Sequence, residues 1–217
     1  MTNMLVINKK KSKKEKTRLS AVNRRCQILE KAHELCTIKG FAGTTLNDIA
    51  KEARVSRALI IQHFGSKEGV YEALVDFLFQ NHPMGKDPNI KGYIEEKDDY
   101  GVFKAFCRHS FEHMTKDKKH SPLRLIFFSM LEKPDLYESH YQKRQMKAAT
   151  ILENYISMRI SEGKFKRVNP HHVAVGFLAM LTQLLIQELT IPQFYNEKMF
   201  MANADTMIHL IVDGLKN

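Results

Sequence analysis

Three helix-starting signals follow one another in close succession, at Thr45, Ser56 and Ser66, and they constrain this chain more than any other feature. In Thr45-Leu46-Asn47-Asp48 a hydroxyl can accept from an orphan amide of the first turn while a carboxylate reaches back to the cap, a variant capping box. Leu46, Ile49, Ala50 and Ala53 then line one side of a helix with room for about two turns before Val55-Ser56 starts the next. That next helix runs from Arg57 to Phe64. Gly65-Ser66 breaks it, and Val70, Leu74, Phe77 and Leu78 mark a longer fourth helix ending near Gln80. Upstream, Ile28, Leu29, Ala32, Leu35 and Cys36 recur at helical spacing until Gly40 supplies a C-terminal stop.

Two short capped helices joined by a tight turn, packed on a longer first helix, are the parts of a helix-turn-helix. The second short helix buries one face and offers the other to a major groove about 12 Å wide. Between Gly40 and Tyr71 the chain carries Gly40-Phe41, Thr44-Thr45, Ile49-Ala50, Val55-Ser56, His63-Phe64 and Ser66-Lys67-Glu68. In these positions the segment resembles the DNA-binding domain of the TetR family of transcriptional regulators. The resemblance implies an all-α chain, with an N-terminal three-helix helix-turn-helix domain and a C-terminal helical bundle for ligand binding and dimerisation. It further implies a homodimer that binds a double-stranded DNA operator.

Two positions depart from the family pattern. Arg54 stands where the turn usually has glycine, so the turn either avoids a positive φ or tolerates a cost of up to about 2 kcal/mol. Ile61 stands where the recognition helix usually has a tyrosine, which removes a hydroxyl and redirects contacts toward, for example, a thymine methyl. The resemblance places Thr45 and Lys67 at helix amino ends, where backbone amides and the helix dipole favour a phosphate. Arg57, Ala58, Leu59, Ile61, Gln62 and His63 fall on the recognition helix, and Asn47 lies on the preceding helix facing the groove. Arg57 suits guanine, because a guanidinium bonds O6 and N7 together, and Asn47 or Gln62 can do the same for adenine. The alternative for each is a phosphate contact, the fate of half to two-thirds of protein–DNA hydrogen bonds.

The formal net charge is +10, and it is unevenly placed: residues 1 to 25 hold nine basic groups against Glu15 alone. Residues 26 to 80 hold six basic and seven acidic groups, low for a DNA reader. We therefore expect residues 1–20 to form a disordered basic arm that follows phosphates or enters a minor groove, the alternative being a solvated tail. Met4 to Ile7 followed by the lysine block also resembles an apolar anchor beside a polybasic patch, which would suit a membrane-surface or interaction protein with no small-molecule effector.

Residues 81 to 100 turn to Pro83, Gly85, Pro88, Gly92 and the charged run Glu95 to Asp99, a natural boundary between a DNA-binding domain over 21–80 and a helical domain over 81–217. Beyond it, amphipathic segments are expected at about 101–116, 122–132, 135–162, 170–189 and 197–215, with no strand signals. Phe103, Phe106, Phe127, Phe128, Tyr155, Phe177, Met180 and Leu181, with Phe111, Met114, Met130 and Met158, can line a pocket for a small apolar effector, the alternative being a closed core. Val173 to Ile186 is apolar almost all round and must be covered on every side. The resemblance assigns one cover to a second subunit, with Leu184, Leu185, Met207, Ile211 and Leu215 at the interface, so that two recognition helices ~34 Å apart read a palindrome.

Other classes receive little support. That apolar stretch is shorter than the ~20 residues needed to cross a bilayer, so no membrane partner is expected. Cys26, Cys36 and Cys107 are odd in number and never spaced as CxxC, which argues against a disulfide framework and for the cytoplasm. There is no GxSxG, phosphate-cradling glycine loop or HExxH, so neither an enzyme nor a cofactor is expected. His109 and His113, with Glu112 between them, and the pair His171-His172 have spacings that can share a metal. Neither has a third and fourth ligand nearby in sequence, and no metal is expected. Cys107 reads as a small core residue.

Overall fold

The computed structural model describes residues 21–80, 84–115, 117–140, 146–193 and 196–217, so the expected basic arm and the Met4–Ile7 anchor lie outside the described residues. Eleven α-helices are described: α1 (Ala21–Lys39), α2 (Leu46–Ala53), α3 (Arg57–Phe64), α4 (Lys67–Gln80), α5 (Pro88–Glu96), α6 (Asp99–Thr115), α7 (Pro122–Glu132), α8 (Pro134–His140), α9 (Met146–Ser161), α10 (Pro170–Thr190) and α11 (Glu197–Leu215). The fold is all-α; among the described residues the sole β-type pairing is an isolated bridge between Phe165 and Lys216.

The three caps form as their chemistry dictates. Thr45 Oγ accepts from Asp48 N at 3.1 Å, and Asp48 Oδ2 accepts from Thr45 N at 3.0 Å, completing the capping box. Ser56 Oγ accepts from Leu59 N and Ser66 Oγ from Gly69 N, starting α3 and α4. Arg54 does adopt the left-handed region, at φ 54°, and its peptide closes α2: Arg54 N donates to Lys51 O and Val55 N to Ala50 O. This is the double hydrogen bond of a Schellman ending, which satisfies carbonyls the helix leaves open. Because a side chain strains that conformation, Arg54→Gly is expected to stabilise the domain by about 0.5 to 1 kcal/mol. A rightward shift of the urea midpoint at fixed protein concentration checks this, and a leftward shift would show that the arginine side chain contributes more than the strain costs.

Helix α1 ties the motif together from behind. Gln27 Nε2 donates to Ala53 O at the end of α2, and Arg25 donates to His63 O at the end of α3 while its guanidinium lies 4.3 Å from the Phe64 ring centroid. Both bonds satisfy carbonyls at helix C-termini, where a cation also meets the negative end of the dipole. Gly40 ends α1 at φ 74°, a left-handed conformation that a side chain would strain.

One expectation needs amending. The turn-forming stretch 81–100, read as a boundary, carries a helix: Asp87 caps α5, accepting from Asn89 N and Ile90 N, and Pro88 sits at its first position. A proline there lacks only an amide that would be orphaned anyway, so it starts a helix as readily as it ends one. Helices α8 and α9 fall within the segment expected at about 135–162, of which residues 141–145 lie outside the described ones.

The buried side chains form two clusters. One joins α1 to α4 through Ile28, Leu29, Ile49, Ile60, Tyr71 and Leu74; the other joins the remaining helices through Phe103, Phe106, Leu152, Phe177, Phe200 and Val212. Helix α7 serves both, because Leu125 is buried in the first cluster and Leu123 in the second. Helix α10 extends beyond the apolar stretch to 21 residues, a length and composition that could cross a membrane. Its Ala174, Phe177, Leu178, Leu181 and Leu185 instead face the second cluster, and the buried Glu188 is paired with Lys118 at 2.6 Å.

Candidate functional site

One face of the helix-turn-helix is open. Arg57, Ala58, Ile61 and Gln62 are exposed along α3, with Leu59 and His63 half-buried at its edges, while Ile60 on the opposite side is fully buried. Asn47 on α2 and Thr45 at its cap are exposed on the same motif. Ile61 is 42% exposed in mid-helix.

The flanking residues differ in what they can offer. The Thr45 hydroxyl donates to Asp48 Oδ2 at 2.7 Å, and this bond, together with the Thr45 amide, holds the Asp48 carboxyl below its ordinary pKa. With its hydrogen committed there, the hydroxyl is not a free donor, and the donors left open at the start of α2 are first-turn amides. Lys67 lies 4.1 Å from the centroid of the Phe41 ring, which steers its ammonium beside the start of α4.

The second feature is a cavity of about 1490 Å³ whose wall draws on both halves of the chain: His33 from α1, Leu78 from α4, Phe111 and Met114 from α6, Leu123, Ile126 and Phe127 from α7, and Leu178, Leu181 and Leu185 from α10. Of the pocket residues expected from sequence, Phe111, Met114, Phe127, Met130 and Leu181 line it and the others do not. Phe103, Phe106 and Phe177 are wholly buried, with Phe103 and Phe177 in edge-to-face contact at 4.9 Å, so they fill a closed core. Tyr155 donates to Asp99, Phe128 is half-buried off the cavity, and Met180 is exposed. Sequence reasoning missed His33 and Leu78, because no periodicity signals that α1 and α4 help to wall a cavity beyond their own cluster.

Polar groups in this wall are organised. His109 Nδ1 lies 2.6 Å from Asp87 Oδ2. Burial opposes ionisation of Asp87, but the imidazole and the amides of Asn89 and Ile90 outweigh it and hold its carboxyl below the usual pKa. His120 Nδ1 lies 2.9 Å from Asp117 Oδ2 and lowers that carboxyl likewise. Burial, with His120 nearby, lowers the pKa of His33. No group of three metal-ligating side chains converges among the described residues, and His171 is spent on Glu153 at 3.2 Å. Burial pushes the Cys36 and Cys107 thiols up to about 11 and about 12, so both are protonated apolar fillers at neutral pH.

The residues expected at the subunit interface differ in exposure. Leu185, Met207 and Leu215 are buried within their own subunit, and Leu184 and Ile211 are half-buried against its core. The apolar side chains that remain outside on α10 and α11 are Met180, Met199 and above all Leu210.

Cavity and motif share helix α7. Beside cavity-lining Leu123 and Ile126, Leu125 is buried among the helix-turn-helix residues, and its carbonyl accepts from Tyr71 Oη on α4 at 2.7 Å. Arg124 Nε donates to Thr37 O on α1, and at the far end Glu132 Oε2 accepts from Ala42 N at 2.7 Å.

Comparison with known proteins agrees with this arrangement. Residues 28–74 match the family model for bacterial regulatory proteins of the tetR family. The HTH-type transcriptional regulator TtgR of Pseudomonas putida is 24% identical over 185 residues, 82% of this chain and 85% of the relative. IcaR, the negative transcriptional regulator of the biofilm operon icaADBC in Staphylococcus aureus, is 42% identical over 53 residues, 24% of this chain and 28% of its own length. The crystal structure of a TetR-family regulator from Mesorhizobium loti covers 92% of this chain and 100% of its own, with TM-score 0.70 at 17% identity. AibR, solved with isovaleryl coenzyme A and operator DNA, covers 86% of this chain and 97% of its own, with TM-score 0.61 at 20% identity.

Proposed function

As this chain belongs to the TetR family of transcriptional regulators, whose members include repressors of the IcaR kind, we propose that it is a homodimeric repressor that binds a palindromic operator and leaves it when a small, largely apolar molecule fills the cavity. The observation that carries this reading is the placement of α7, with Leu125 in the core of the DNA-binding motif and Leu123, Ile126 and Phe127 on the cavity wall. A ligand in contact with α1, α4 and α7 together bears on the helices that carry α3, and it shifts the population of DNA-competent dimers by its difference in affinity for the two states. Exposed Met180, Met199 and Leu210, with Gly176, Ala179, Ala202 and Gly214 allowing close approach, give α10 and α11 the surface for a two-fold contact. The basic arm supplies sequence-independent attraction that the nearly neutral motif lacks.

Selection of bound DNA from a random pool tests the reading directly. An inverted repeat with half-sites about one helical turn apart is expected. Recovery of unrepeated sites only would overturn the palindromic dimer. Within that site, Arg57→Ala is expected to weaken cognate binding by about 1 to 3 kcal/mol while changing binding to random DNA far less. Anisotropy titrations on both DNAs at one salt concentration measure this, and equal losses would assign Arg57 to a phosphate.

A further inference from the structure

Two imidazoles of the cavity wall are oriented by carboxylates, His120 by Asp117 and His109 by Asp87, and His109 is the buried one. His109 Nδ1 is engaged by Asp87, whose Oδ1 accepts from Asn89 N at 2.8 Å, so the carboxylate that holds the ring is itself held by α5. Asp87 is absent from the cavity wall and His109 is part of it. The Nδ1 edge is therefore spent on the protein, and Nε2 is the atom left to a molecule inside. His113, one turn along α6, lies against the ring with centroids 4.4 Å apart and lines the same space. A second imidazole of the wall, His33, has a buried Nε2 with no hydrogen-bond partner among the described residues.

These groups discriminate between ligand classes. Asp117 is engaged by the amides of Lys119 and His120 and by the His120 ring. With Glu112 and Glu197 it lines the cavity as an exposed residue, against Lys86 and Lys147, so the rim carries one acidic group in excess and a preference for an acid falls to the buried imidazoles. A ligand with no polar atom would leave imidazole nitrogens covered and unpaired, which is unfavourable. An acid satisfies them. A carboxyl group meeting Nε2 of a ring already backed by a carboxylate shares one proton with it, either as O–H donating to Nε2 or as N–H donating to the carboxylate. The second arrangement is a charge-assisted bond further supported by Asp87.

We propose that the effector is an amphipathic acid, its carboxyl group bound at His109 Nε2 and its apolar body against Leu123, Phe127 and Leu181. This deepens the effector reading given above and rests on it. The test loads the full-length protein with Nile red and displaces the dye with dodecanoate, dodecanol or dodecylammonium, each below its micellar concentration. Dodecanoate is expected to act at about tenfold lower concentration than dodecanol. His109→Phe should abolish that difference. Should that variant fail to fold, Asp87→Asn, which preserves the α5 cap, should shrink the difference. Equal displacement by acid and alcohol, stronger displacement by the amine, or an undiminished difference in the folded variants would overturn the acid assignment and leave the effector cavity standing. Binding of neither dye nor any amphiphile, checked by calorimetry, would overturn the effector cavity itself and this assignment with it.

Discussion

Glutamates at Met180 and Leu210 together are expected to leave a folded subunit that no longer dimerises and that loses its operator. Both side chains already face outward, 43% and 74% exposed, so changing them costs the isolated subunit little. Across a two-fold axis each new carboxylate would be desolvated close to its own symmetry mate, and like charges brought together in that way are strongly unfavourable. The loss on DNA follows from linkage. Two tethered recognition helices bind with an effective concentration that a monomer lacks, so affinity for the full palindrome should fall by about 10²- to 10⁴-fold while half-site affinity is retained. Sedimentation velocity at micromolar protein would show the monomer, and an unchanged dimer would place the interface away from α10 and α11. Leu184 and Ile211 make poorer test positions, since they pack against the subunit's own core and a charge there would mix dissociation with unfolding.

Which parts of the chain were legible in advance depended on how local their causes are. Capping is a property of four residues, and so α2, α3 and α4 begin where Thr45, Ser56 and Ser66 place them. The exposed face of α3 follows from its 3.6-residue period once Ile60 is known to face inward. Pro122 and Pro170 open helices where the expected segments 122–132 and 170–189 begin, but Pro83, Gly85, Pro88 and Gly92 together were read as turn formers at a boundary, which hid α5. The cavity was harder for a different reason. Periodicity identifies Phe103, Phe106 and Phe177 as internal but not whether they face other side chains or a void, and here they face one another and the core. The void lies along the other end of α6, where His109 and His113 appear. Their spacing was visible in the sequence, but the partner that fixes His109, Asp87, precedes it by 22 residues and belongs to a helix that had not been recognised.

Loss of one buried carboxylate should be the most damaging single change outside the DNA-binding motif. Asp99, in the first turn of α6, receives a two-pronged pair from Arg159 on α9, Nε at 2.8 Å and a terminal nitrogen at 3.1 Å, and also the Tyr155 hydroxyl at 2.7 Å. Both charged residues are only 8% exposed. Bonds from Asp99 and Glu162 raise the Arg159 pKa against the opposing effect of burial, so the cation persists at every accessible pH. In Asp99→Ala that cation stays inside with one acceptor, Glu162, and a buried pair broken on one side costs about 3 to 5 kcal/mol. The urea midpoint should fall accordingly at fixed protein concentration, a control that a dimer requires. Asp99→Leu combined with Arg159→Met should recover much of the loss, because the penalty comes from the unpaired charge rather than from the absence of the pair. A loss below about 1 kcal/mol in Asp99→Ala would mean that water reaches the guanidinium, and that the joint between α6 and α9 is held by Phe103, Leu152, Ile156 and their neighbours without it.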